Sequence, residues 1–82
     1  MKFNKEVLGA SAAYILGLKP MLEVKGTKKE IEAYKSVLES SKSLYESLNS
    51  KNSSLEKVDC KLKEKKSAAR HFKVTTGNVW PF

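Results

Sequence analysis

One stretch decides the fold of this chain, TKKEIEAYKSVLESSKSLYESL, which spans residues 27–48. Its first four residues form a capping box, because the Thr27 hydroxyl can accept from a backbone N–H while the Glu30 carboxylate reaches back to Thr27. Side chains of one face then recur at alternating intervals of three and four residues, which is the spacing of a half-buried helix. This face comprises Ile31, Tyr34, Leu38, Ser41, Tyr45 and Leu48. We therefore predict a helix from about residue 28 to residue 48.

A second helix of similar length should follow after a short polar segment, NSKNSS, residues 49–54. Ser53 and Glu56 repeat the capping box, and Gly77 supplies the left-handed residue that commonly closes a helix. The face between them comprises Leu55, Val58, Leu62, Lys65, Ala69 and Phe72. These signals predict a helix over residues 54–76. The connecting segment is so short that the two helices should form an antiparallel hairpin.

The N-terminal third of the chain predicts a further helix over residues 4–18. Asn4 can cap it, and Pro20 should end it. Its buried face comprises Val7, Leu8, Ser11, Tyr14, Ile15 and Leu18. The segment 21–26 alternates apolar and charged residues as a strand would, but no second strand is present for it to pair with. We interpret it as an extended connection whose Met21, Leu22 and Val24 cover one end of the bundle.

These elements predict an all-α fold, with residues 1–82 forming a single helical domain. It consists of three helices, an antiparallel helical hairpin and an extended aromatic C-terminal tail. The predicted core draws on Leu8, Tyr14, Ile15, Leu18, Ile31, Tyr34, Leu38, Leu44, Tyr45, Leu48, Leu55, Val58, Leu62 and Phe72. A chain of 82 residues buries little surface, so a homo-oligomer remains an alternative to a marginally stable monomer.

The residues that carry chemistry are few. Cys60 is the only cysteine and His71 the only histidine, so one chain can form neither a disulfide framework nor a zinc cluster. No glycine-rich phosphate loop occurs. We therefore predict no catalytic site, no metal and no cofactor. The longest uncharged stretch, residues 7–18, is too short for a transmembrane helix, and we expect a cytoplasmic protein.

Positive charge is the clearest functional signal in the composition. Sixteen Lys and Arg against nine Asp and Glu give a net charge of +7, and the excess lies in the last predicted helix. Lys63, Lys66 and Arg70 form a basic stripe there, continued by Lys73, that could bind phosphates or an acidic membrane surface. The first three are also candidates for binding a partner protein. Fifteen of the sixteen basic residues are lysine, whereas base reading and bidentate phosphate contacts favour arginine. A solvated face that keeps the protein soluble is the alternative.

The chain ends in VTTGNVWPF, residues 74–82. Gly77 should turn the chain out of the last helix and Pro81 prevents further helix, so Val79, Trp80 and Phe82 should form an extended strip. Either the strip folds back as a lid on the bundle, against Tyr45 or Met21, or Trp80 anchors a partner protein.

With the whole chain considered, MKFNKEVLGASAAYILGLKPMLEVKGTKKEIEAYKSVLES and the closing TGNVWPF resemble the small lysine-rich accessory proteins of large lytic phages. Among these, the chain is most similar to the cytoplasmic accessory lysis-inhibition proteins of T-even phages. That resemblance implies an antiholin, which binds the cytosolic segment of a holin in the host cytoplasm and delays lysis. It assigns no functional residue to a position of this chain. A nucleic-acid-binding protein or an inhibitor of a host protein is the alternative. A peripheral membrane protein that uses the first helix is a third possibility.

Overall fold

The computed structural model describes residues 3–50 and 54–82, and these form three α-helices with no β-strand among them. Helix α1 spans Lys5–Ile15, α2 spans Lys28–Asn49 and α3 spans Leu55–Thr76. Helices α2 and α3 pack along one another as the hairpin, α1 packs on α2, and the tail after α3 is extended. The predicted all-α fold is confirmed.

The ends of the two long helices follow the capping residues. The Glu30 N–H donates to the Thr27 hydroxyl at 3.2 Å, and the Thr27 N–H donates to the Glu30 carboxylate at 3.1 Å. Helix α3 begins after Ser54, whose hydroxyl accepts from the Lys57 N–H at 3.2 Å. The predicted cap at Ser53 lies outside the described residues. At the other end Gly77 adopts a φ of 77°, a left-handed conformation that glycine takes without strain.

The predicted C-terminal end of α1 is wrong. The helix ends at Ile15 and not at Leu18, because Gly17 adopts a φ of 76°. The Gly17 N–H donates to the Tyr14 carbonyl at 3.0 Å, and the Leu18 N–H donates to the Ala13 carbonyl at 2.8 Å. This pair of bonds is a Schellman turn, which terminates a helix by itself. Pro20 therefore follows a helix that has already ended.

The core lies between α2 and α3 and is completed by the tail. Tyr34, Val37, Leu38 and Phe72 are fully buried, and Trp80 is 8% exposed. Val7, Ile15 and Ala33 are the other buried apolar residues in the described part of the chain. Met21, Leu22 and Val24 pack against this cluster from the connection between α1 and α2. The predicted role of that connection as a cover is confirmed.

The prediction that four residues belong to the core is wrong. These residues are exposed: Leu18 by 74%, Tyr45 by 40%, Leu48 by 61% and Leu55 by 89%. The reason is the length of α1. It has 11 residues against 22 in each of α2 and α3, which is about 16 Å against about 33 Å. A helix of that length covers only about half of the hairpin. Half-buried members of the predicted core are Leu8, Tyr14, Ile31, Leu44, Val58 and Leu62.

A buried pair of hydroxyl groups joins α1 to α2. The Ser11 hydroxyl donates to the Val7 carbonyl at 2.7 Å and lies 2.5 Å from the Tyr34 hydroxyl. Because Ser11 has one hydroxyl hydrogen, Tyr34 is the donor between the two. Both polar groups are thereby satisfied inside the core.

Stability should decrease at alkaline pH because of Tyr34. Burial raises the pKa of Tyr34 above its usual value of 10.0, so the unfolded chain loses this proton at a lower pH than the folded chain. The contribution of protonated Tyr34 to the free energy of unfolding is complete below pH about 10. It is lost as the pH rises towards the pKa of Tyr34 in the folded chain. Urea denaturation from neutral pH upward should show a steeper loss for the native chain than for Tyr34→Phe. Parallel losses in the two proteins would contradict this role of Tyr34.

Candidate functional site

Trp80 is held inside a cluster of aromatic side chains, which we call the aromatic cluster. The centroid of the Trp80 ring lies 5.8, 6.1, 5.4 and 5.3 Å from the ring centroids of Phe3, Tyr34, Phe72 and Phe82, respectively. The indole N–H donates to the Ser41 hydroxyl at 2.8 Å, so the polar edge of the ring is satisfied as well. The residue therefore closes the bundle as a lid.

The other two aromatic or apolar residues of the tail lie differently. Val79 and Phe82 are both exposed, and Phe82 lies at the edge of the bundle, near Tyr45. A partner could contact these two side chains on the folded surface. Contact with the Trp80 ring would require the ring to leave the aromatic cluster.

An apolar groove lies beyond the C-terminal end of α1. It has a volume of about 320 Å³ and is bordered by α1, the C-terminal part of α2, the middle of α3 and the tail. Its lining residues are Ala12, Ile15, Leu16, Ser41, Leu44, Tyr45, Leu48, Lys65 and Phe82. Leu16, Tyr45, Leu48 and Phe82 are all exposed large apolar residues.

The apolar groove offers few polar atoms from its side chains. Of its lining residues, Ser41, Tyr45 and Lys65 carry polar groups, and the Ser41 hydroxyl already accepts from the Trp80 indole. Apolar surface that is concave and exposed to water marks a binding site more often than scattered apolar residues do. The groove is therefore the candidate functional site of the described chain.

Lys42 fixes the end of α1 beside this groove. Its ammonium group donates to the Tyr14 carbonyl at 2.9 Å and lies 4.6 Å from the centroid of the Tyr14 ring. It also lies 3.9 Å from the Glu46 carboxylate. A cation at the C-terminal end of a helix adds a hydrogen bond to one of the last carbonyl groups and suits the helix dipole. The wall formed by α1 is thus held in place by α2.

The three residues of the basic stripe, Lys63, Lys66 and Arg70, are all exposed on α3. Lys63 lies 3.0 Å from the Asp59 carboxylate, and this hydrogen bond and charge raise the pKa of Lys63. A neighbouring pair, Lys61 and Glu64, lies at 3.8 Å. Part of the positive charge of α3 is therefore compensated within the helix. None of the three stripe residues lines the apolar groove.

The remaining chemistry of the described residues is sparse. Cys60 and His71 are exposed on α3. Residues 3–50 and 54–82 contain no group of His, Cys, Asp or Glu side chains that could hold a metal ion. None of the helices described for this chain is long and apolar enough to cross a membrane.

Comparisons of the chain with protein-family models, with curated proteins and with solved structures find no match. Sequence reasoning placed Leu44, Tyr45 and Leu48 in the core and did not single out Leu16 or Lys65 as site residues. The signal that could have found the groove is Gly17, because an earlier end of α1 leaves the hairpin partly uncovered.

Proposed function

We propose that this protein is a small non-enzymatic binding protein that holds an apolar segment of another protein in the apolar groove. The observation that carries the proposal is the exposure of Leu16, Tyr45, Leu48 and Phe82 around one concave surface. Removing such side chains from water on binding is favourable, at roughly 25 cal/mol per Å² of apolar area. Large side chains that meet in a pocket are the usual anchors of protein interfaces.

The most specific candidate for the partner is a holin, because the chain resembles the lysis-inhibition proteins of T-even phages. In this proposal the protein acts in the host cytoplasm as an antiholin and binds the cytosolic segment of the holin. Delay of lysis by binding requires no catalytic group. The groove supplies the surface, and the tail stabilises it because Phe82 forms one of its walls.

Timing of lysis tests this assignment. Cells that express a T-even holin should lyse later when the native protein is co-expressed, and the Leu48→Asp variant should remove the delay. Lysis at the same time with and without the native protein would overturn the antiholin assignment. Binding to another protein is tested separately, by comparing the proteins that the native chain and Leu48→Asp retain on a column.

The rival function is binding of nucleic acid by the basic stripe, and it predicts a different result. Replacing Lys63, Lys66 and Arg70 with glutamine should leave capture of the partner protein nearly unchanged, because these residues lie outside the groove. Contacts to phosphates would instead make affinity decrease steeply with salt concentration. Salt-dependent binding to DNA or RNA that this triple variant abolishes would favour the rival.

A further inference from the structure

The structure limits what can occupy the apolar groove, and this inference depends on the proposed function. We infer that the occupant is a short amphipathic helix of a partner protein, which continues the position of α1 along the hairpin and places a carboxylate group against Lys65.

The position of the groove points to a helix of two to three turns. Helix α1 runs along α2 in the same direction, since Ser11 meets Tyr34 and Tyr14 meets Lys42 further along. Helix α1 ends at Ile15, one residue after its contact with Lys42, whereas α2 continues to Asn49. That uncovered length is about 10 Å, and two to three helical turns span about 11 to 16 Å. The occupant would lie against α2 and α3 as a third helix, along the part of the hairpin that α1 does not reach.

The composition of the groove favours a helical occupant over an extended one. An extended segment must place backbone N–H and C=O groups against the groove, and groups left without partners there are costly. The described lining residues offer few partners, because their hydroxyl groups are those of Tyr45 and Ser41, and Ser41 already accepts from the Trp80 indole. A helix satisfies its own backbone hydrogen bonds and presents side chains alone.

Lys65 indicates the charge of the occupant. Among the described residues it is the only charged side chain that lines the groove, and it is half-buried. Two other lysines of α3, Lys61 and Lys63, form ion pairs with carboxylates of the same helix. Lys65 has no such ion pair within residues 3–50 and 54–82. An acidic side chain at the edge of the bound helix would form a charge-assisted hydrogen bond with it. Electrostatic complementarity of this kind selects one partner among several apolar segments.

A second copy of the chain fits the groove less well. Each chain carries a net charge of +7, and like charges repel when two copies meet. Helix α1, the only short apolar helix in the described chain, is already held by Lys42 and by the Ser11–Tyr34 pair. A partner with acidic residues meets neither obstacle.

Three stapled peptides of about 14 residues, four helical turns, test the inference on the full chain by fluorescence anisotropy. The first carries leucines at helical spacing with flanking glutamates, and the second replaces those glutamates with lysines. The third peptide is unstapled. It has the residues of the first, except for a central proline, arranged so that apolar and polar residues alternate. We expect the first to bind at least about tenfold more tightly than either of the others.

Two variants test whether Lys65 causes the preference for the glutamate peptide over the lysine peptide. Lys65→Met keeps the apolar stem and removes the charge, so it should abolish the preference for glutamate over lysine. Lys73→Met, on the same helix but outside the groove, should keep it. A preference that survives in Lys65→Met would show that Lys65 contributes only its stem, and the proposed carboxylate contact would be wrong.

Two further results separate this inference from the proposed function. Equal binding of the proline peptide would overturn the helical occupant while the groove remained a site for protein segments. If no peptide bound and Leu48→Asp still lost its captured protein, the inference would fail and the proposed function would stand. Formation of a dimer that Leu48→Asp disrupts would make the occupant a second copy and overturn the inference.

Discussion

Replacing Trp80 with alanine should lower the free energy of unfolding by about 3–5 kcal/mol, as is typical for removal of a large buried aromatic side chain. The ring contacts Phe3, Tyr34 and Phe72, and its N–H donates to Ser41. Its removal leaves a cavity in the aromatic cluster and a buried Ser41 hydroxyl without its donor. Because an 82-residue chain is only marginally stable, most of its stability should be lost. Thermal and urea denaturation measure the effect.

The matched control is Val79→Ala, one residue earlier in the same tail. Val79 is 67% exposed, so its truncation should change the free energy of unfolding by less than about 0.5 kcal/mol. If Trp80→Ala unfolds like the native chain but no longer binds its partner, the ring acts as an anchor and not as a lid. That result would contradict the structure of the tail described above.

The second large effect should be on binding and not on stability. Leu48→Asp places a carboxylate in the apolar groove, where a bound apolar segment would remove water from the charged group at a cost in free energy. We expect partner affinity to decrease by a factor of about 100 or more, as for loss of an interface hot spot. Stability should change little because Leu48 is largely exposed in the free protein. Calorimetric titration and thermal denaturation measure the two quantities.

Val74→Asp serves as the control for this change. Val74 is also a largely exposed apolar residue, but it lies near the C-terminal end of α3 and does not line the groove. The same substitution there should leave affinity within about a factor of two, since it touches no binding surface. Equal losses of affinity in both variants would indicate a general effect of negative charge, and the groove would not be the binding site.

The sequence predicted the long helices closely because their signals are local. A capping box begins α2, a serine cap begins α3 and a glycine ends α3, and each acts within a few residues of its own position. The antiparallel hairpin followed from the short connection alone. The face of α2 that includes Tyr34 and Leu38 was also identified by its spacing.

The site was harder to predict because it depends on how far one helix extends along another. The apolar pattern of α1 continues through Leu18, but Gly17 adopts a left-handed conformation and ends the helix earlier. Periodicity shows which face of a helix is apolar, and it does not show whether a neighbour covers that face. Tyr45 and Leu48 therefore looked like core residues. The contact of Trp80 with Ser41 joins residues that are distant in sequence, so no local pattern reports it.

Photo-cross-linking from position 48 tests most directly whether the apolar groove binds a segment of another protein. A photoreactive phenylalanine derivative in place of Leu48 should cross-link to one amphipathic segment of a second protein, identified by mass spectrometry. The same derivative in place of Val74 should give no cross-link to that segment. A cross-link from position 48 that forms only within its own chain, while the partner remains bound, would contradict binding of the partner in the groove.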